Sequence, residues 1–103
     1  MKKFEIIFSE RSDNDIQDYI DFIYYEYKSP LTALRNYEGL INEIKLLSKY
    51  AGSLKYCTDK SIVEEFGFFA KRINYKKMAV IFYIYDNTVR IEAVIKQKNI
   101  QGL

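Results

Sequence analysis

The chain has no histidine, one cysteine, one proline and four glycines in 103 residues. Without an imidazole, Ser-His-Asp and Cys-His catalysis are excluded, as is an RNase built on an imidazole acid/base pair. Cys57 has no partner for an internal disulfide, which points to a reducing cytosol. One thiol without histidine also argues against a structural zinc site. No Gly-rich phosphate loop is present, and neither a cofactor nor a metal is expected. The longest uncharged apolar run, Met78 to Tyr85, is eight residues, far short of a membrane span. The apolar stretch near Met1 is too short for a secretory leader. The expectation is a cytoplasmic protein without a membrane partner.

What is abundant is apolar and aromatic. Such residues include ten tyrosines and seven phenylalanines within a 49% apolar chain, which places it in the globular class. One domain over residues 1–103 is expected, burying roughly 60–65% of the surface its unfolded form exposes. The net charge of +2 hides an asymmetry. Residues 1–66 carry nine Lys and Arg against twelve Asp and Glu, whereas residues 67–103 carry seven against two. A basic C-terminal third suggests a polyanionic or acidic partner.

Periodicity orders the elements. "KFEIIF", Lys3 to Phe8, reads as a first strand. Ile16, Tyr19, Ile20, Ile23, Tyr24 and Tyr27 recur at helical spacing, with a cap at either Ser9 or Ser12. Ser29-Pro30 ends that helix and caps another, whose stripe is Leu34, Tyr37, Leu40, Ile41, Ile44 and Leu47. Residues 53–65 have no clean period and read as a connection with room for a short strand. Phe66 to Ile73 reads as a strand. Met78 to Tyr85, apolar on both faces, is expected at the centre of the sheet. Asp86-Asn87 is a hairpin turn to a last strand, Thr88 to Ile95, with Val89, Ile91, Ala93 and Ile95 on one face. The fold class is therefore α+β: a strand, a helix hairpin and a C-terminal antiparallel meander.

If Tyr85 pairs with Thr88, a regular ladder sets Met78 opposite Ile95 and Lys77 opposite Lys96, with Arg72 beside the start of the Met78 strand. Lys71, Arg72, Lys76, Lys77, Lys96 and Lys98 then collect at one sheet end as a candidate site for nucleic acid or another target. Opposed like charges destabilise a sheet, so the cluster calls for a reason. One is that they are gatekeepers flanking an aggregation-prone strand. Another is an anion-binding surface, to which Tyr75, Tyr83 and Tyr85 add stacking faces. Carboxylates are too sparse there for a two-metal nuclease. RNA cleavage would have to rest on Lys and Arg, with a desolvated Lys or a Tyr moving protons. Lys71, Arg72, Lys77 and Tyr75 are the candidates.

The stretches "SERSDNDIQDYIDFIYYEYKSPLTALRNYEGLINEIKLLSKY", "VIFYIYDNTVRIEAVIK" and "KQKNIQGL", taken in order, resemble the RelE/ParE superfamily of type II toxin–antitoxin toxins. The "DI…YI" helix and the "AVIKQKNI" tail lean to the ParE branch. The resemblance implies a growth-inhibiting toxin of the kind found in plasmid stabilisation, held in a hetero-oligomer by a cognate antitoxin. RelE-like members cleave mRNA on the ribosome with Lys and Arg on the sheet and a tail tyrosine, whereas ParE-like members poison DNA gyrase without chemistry of their own. Here Met78-Ala79 stands where RelE-like nucleases carry Tyr-Arg, only Lys98 matches their late arginine, and no tyrosine follows Ile95. The resemblance thus favours gyrase inhibition. Ribosome-dependent mRNA cleavage and a non-toxic basic binding module are the alternatives.

Overall fold

A computed structural model describes residues 3–100; residues 1–2 and 101–103, including the end of the quoted tail, lie outside the described part. Ser9 is the cap of the first helix, α1 (Glu10–Tyr27): its Oγ accepts the Ser12 amide at 3.0 Å. Ser12 is buried inside the first turn and donates back to the Ser9 carbonyl. Lys28 then turns the chain in a left-handed conformation, and Ser29 and Pro30 start α2 (Pro30–Tyr50), followed by a 3-10 turn at Ala51–Ser53. Ile16, Tyr19 and Ile23 of α1 meet Leu40, Ile44 and Leu47 of α2 in the main core. The expected stripes run too far, because Tyr24, Tyr27, Leu34 and Tyr37 are exposed.

Four strands form one sheet in the order β1 (Glu5–Phe8), β4 (Thr88–Lys96), β3 (Met78–Tyr85), β2 (Lys71–Tyr75). β1 runs parallel to β4, and the other pairs are antiparallel. The central position of β3 and the Asp86-Asn87 turn are as the pattern predicts. Met78, Val80 and Phe82 face the helix hairpin, while Ala79 and Ile81 face the other way and pack with Ile62, Ala70 and Ala93.

Ile62 belongs to an element that the sequence reading misplaces. Residues 60–66 are a helix, α3 (Lys60–Phe66), and the strand expected over Phe66 to Ile73 starts only at Lys71. The aromatic run misleads because Phe68 and Phe69 project from the loop after Gly67, whose φ of 90° ends the helix. Ile62 and Phe66, one helical turn apart, both pack against the sheet.

The register between β3 and β4 slips at one point. Tyr85 pairs with Thr88 and Phe82 with Ile91, but Ile81 pairs with Ala93, so Glu92 is an extra residue in the ladder. The start of α1 holds this bulge. Ser9 donates its amide to the Ile91 carbonyl at 2.9 Å and its Oγ to the Glu92 carbonyl at 2.8 Å, while the Val94 amide donates to Asp15 Oδ2 at 2.9 Å. Beyond the bulge every side chain changes face. Val89, Ile91 and Val94 share the main core, whereas Ala93 and Ile95 join the α3 side, contrary to strict alternation. Lys96, not Ile95, lies opposite Met78, and the expected pairing of Lys77 with Lys96 is replaced.

Asp15→Ala leaves the buried Val94 amide without its acceptor, and a loss of about 1–3 kcal/mol is expected. A lowered urea midpoint with an unchanged denaturant slope would show it; a midpoint equal to wild type would refute the latch.

Candidate functional site

Lys76 and Lys77 form the turn between β2 and β3, with Lys76 in the left-handed region at φ 52°. Past the end of β4, Gln97 ties this turn down. Its Nε2 donates to the Lys76 carbonyl at 2.7 Å and the Met78 carbonyl at 3.2 Å, and its amide donates to the Lys77 carbonyl at 2.8 Å. The tail and the turn are thereby fixed together, which brings Lys76, Lys77, Lys96 and Lys98 to one end of the sheet, all exposed.

Two of these amines are aimed. Lys96 Nζ sits 5.4 Å from the Phe22 ring centroid, on the α1 side to which the bulge has turned it. Lys76 Nζ lies 5.5 Å from the Tyr75 ring centroid and donates to Asn36 Oδ1 at 3.0 Å. Tyr19 donates to the same oxygen at 3.2 Å, and Asn36 Nδ2 donates to the Thr32 carbonyl. A buried amide on α2 therefore holds one cation in place. Gln97, Asn36 and Phe22 are absent from the residues that charge and spacing select. Asn36 had a detectable signal, a polar residue four positions before Leu40 on the buried stripe of α2.

Lys71 and Arg72 do not join this end. They pair with Phe82 and Ile81, midway along β3, whereas Tyr75 is the residue beside Met78. The β2 hairpin is tight enough to leave only the two turn lysines between paired strands, and Arg72 is three residues further back than expected. Lys71 points to the hairpin side and is buried, with Nζ donating to the Ala51 carbonyl at 3.3 Å and lying 5.0 Å from the Tyr56 ring centroid. It satisfies a carbonyl at the end of α2. Arg72 points to the opposite face, where it forms a half-buried ion pair with Asp59 at 3.8 Å. Six expected cations thus become four.

The stacking faces separate as well. Tyr83 and Tyr85 pair with Arg90 and Thr88, towards the far end of the sheet from Tyr75, and Tyr83 donates to the Phe66 carbonyl at 2.6 Å. Tyr75 is half-buried with its hydroxyl against Gly39 of α2. Burial pushes the Tyr19 and Tyr83 phenols and the Cys57 thiol up, away from the deprotonated forms that a general base or nucleophile needs. Among the described residues no group of acidic, cysteine or histidine side chains is placed to hold a metal ion. No helix among them is long and apolar enough to cross a membrane.

A second feature lies on the hairpin side. An open groove of about 690 Å³ runs between β1, α1 and α2, lined by Ile6, Phe8, Ile16, Ile20, Tyr37 and Ile41. Asp13 and Lys45 stand at its margin. Among the described residues β1 is an edge strand, hydrogen-bonded to β4 on one side only, so its other edge can take a further strand.

Lys71→Ala is expected to reduce stability by about 1–3 kcal/mol, through the lost donor and the lost packing of its stem. Lys77→Ala and Lys98→Ala, both at exposed positions, should stay within about 0.5 kcal/mol of wild type in the same urea titration. Equal effects from all three would contradict a structural role for Lys71 that the surface lysines lack. Gly39→Ala tests the seat of Tyr75. Alanine is the better helix former by about 1 kcal/mol, yet its Cβ would collide with the Tyr75 hydroxyl, so the variant should melt lower. The deficit should shrink in a Tyr75→Phe background.

No protein-family profile matches the sequence, and no curated protein matches it. Solved structures do. A chain of the chromosomal ParDE TA system from P. aeruginosa superposes with a TM-score of 0.74 at 11% identity, over 91% of this chain and 96% of that one. A YafQ mutant from E. coli superposes with a TM-score of 0.50 at 13% identity, over 93% of this chain and 96% of that one. At such identities the likeness is one of backbone architecture, and on it the chain shares the α+β fold of both, nearer in shape to the ParDE chain than to YafQ.

Proposed function

We propose that the chain is the toxin of a type II toxin–antitoxin module and that it acts in the ParE manner, by gripping DNA gyrase, with a cognate antitoxin holding it inactive. The ParE-type fold supports the module. The observation that carries the non-enzymatic arm is the fate of Lys71 and Arg72. RelE-type cleavage calls for Lys and Arg presented on the sheet, but here one is buried under Tyr56 and the other is paired to Asp59. The sheet face away from the hairpin is closed by α3 over Ala79, Ile81 and Ala93.

The remaining exposed cations favour gripping. Lys76, Lys77, Lys96 and Lys98 form a fixed basic end suited to an acidic surface on the target, where charge complementarity sets orientation and encounter rate. The antitoxin occupies the groove between β1 and the helices. Its apolar side chains fill the space over Ile16 and Ile41, and an extended segment adds to the open edge of β1.

Induced expression without an antitoxin should arrest growth, and the purified chain should inhibit supercoiling by gyrase. Lys76→Glu combined with Lys96→Glu should weaken that inhibition about tenfold or more, equivalent to ~1.4 kcal/mol of binding. mRNA on programmed ribosomes should stay uncut. Unchanged growth would refute the toxin assignment, and ribosomal A-site cuts with supercoiling intact would refute the gyrase arm.

A further inference from the structure

On the face of the sheet away from the groove, α3 and the loop after it carry a second apolar surface. Phe68 and Phe69 are 76% and 72% exposed, adjacent in sequence and unshielded. Phe69 stacks edge-on against Tyr56, 5.6 Å between centroids, and so has a fixed seat. Beside Phe68 is an open, apolar hollow of about 380 Å³ with Cys57, Thr58 and Val63 in its wall and Lys60 and Glu64 at its sides. Adjacent exposed rings beside an unfilled hollow mark an interaction surface more than a solvated loop.

The charges specify the partner. Glu65 and Asp59 are already paired, to Arg11 and Arg72. Among the described residues, Lys60 and Glu64 have no ion pair, and both are exposed. They lie one helical turn apart on the same side of α3 and carry opposite signs. An acidic partner would meet Glu64 and a basic one Lys60, each with half the contact wrong.

We propose that this face binds a second copy of the chain across a twofold axis. An axis perpendicular to α3, midway between residues 60 and 64, sets Lys60 of each copy against Glu64 of the other. The same rotation carries the Phe68 end of one hollow to the Cys57 and Thr58 end of the other, so that each Phe68 ring enters the partner copy's hollow. Projection and hollow, cation and anion then match in both directions at once, the self-complementarity that an isologous contact requires. The proposal is independent of the toxin assignment, because groove and basic end lie elsewhere on the molecule.

Sedimentation equilibrium of the purified full-length chain tests it. A concentration-dependent dimer is expected. Phe68→Ser, Lys60→Glu and Glu64→Lys should each weaken it about tenfold or more, and the double variant Lys60→Glu with Glu64→Lys should return to within about threefold of wild type. Leu34→Ser, exposed on α2 of the helix hairpin, should leave the dimer constant unchanged, and circular dichroism melts confirm that each variant is folded. A chain that stays monomeric, a dimer that none of the α3 variants weakens, or a double variant no tighter than the single ones would each overturn the proposal.

Discussion

The extra residue in β4 is the constraint on which the molecule's charged geometry depends. A bulge frees backbone groups inside a sheet and is stable only where something else satisfies them. Here the first turn of α1 does so, through Ser9 on the Ile91 and Glu92 carbonyls and Asp15 on the Val94 amide. One helix end is thus sewn to the middle of a strand more than eighty residues away in sequence, and this contact sets how the helix hairpin lies across the sheet. It also decides which way the end of β4 faces. With a regular ladder Lys96 would stand on the α3 side; with the bulge it lies over Phe22 of α1.

The basic end is therefore a product of three separate devices. The bulge turns Lys96, Gln97 binds the tail to the Lys76-Lys77 turn, and Asn36 on α2 restrains the Lys76 amine. Each lies on a different element. Such convergence sets exposed cations side by side despite their repulsion, which is screened by water and salt but not abolished. Lys71 shows the contrasting case, a cation used by the fold to satisfy the carbonyl that ends a helix, with its ammonium over the Tyr56 ring.

Element types and order could be read from the sequence where period or cap chemistry was strong. The Ser29-Pro30 break, the apolar β3 and the Asp86-Asn87 turn each follow from a local rule that tertiary structure does not override. What escaped reading is non-local. Nothing near Glu92 announces a bulge, since its cause is Ser9 and Asp15 at the other end of the chain, and one missed residue was enough to reverse the faces of Ala93 to Lys96. In α3 the signal was present as Ile62 and Phe66 at helical spacing, but the exposed Phe68 and Phe69 outweighed it. Of the candidate cations, Lys76 and Lys77 lie at the expected end of the sheet because they are the turn itself, and Lys98 because it follows β4, whereas Lys96 reaches that end with its face and its partner changed. Those on β2 do not reach it, because a strand's register is fixed by its partner.

β1 pairs with β4 alone, in parallel, although the two are at opposite ends of the described chain. Contacts of such separation form late, since a long loop must be closed before they return any stabilisation. During synthesis, the helix hairpin and β1 leave the ribosome long before the strand that closes the sheet. The groove lacks one wall's anchor, and the basic end lacks half its lysines, until residues 88–98 have emerged. A chain with this topology lacks both surfaces throughout most of its own translation and completes them only as its last strand joins the sheet.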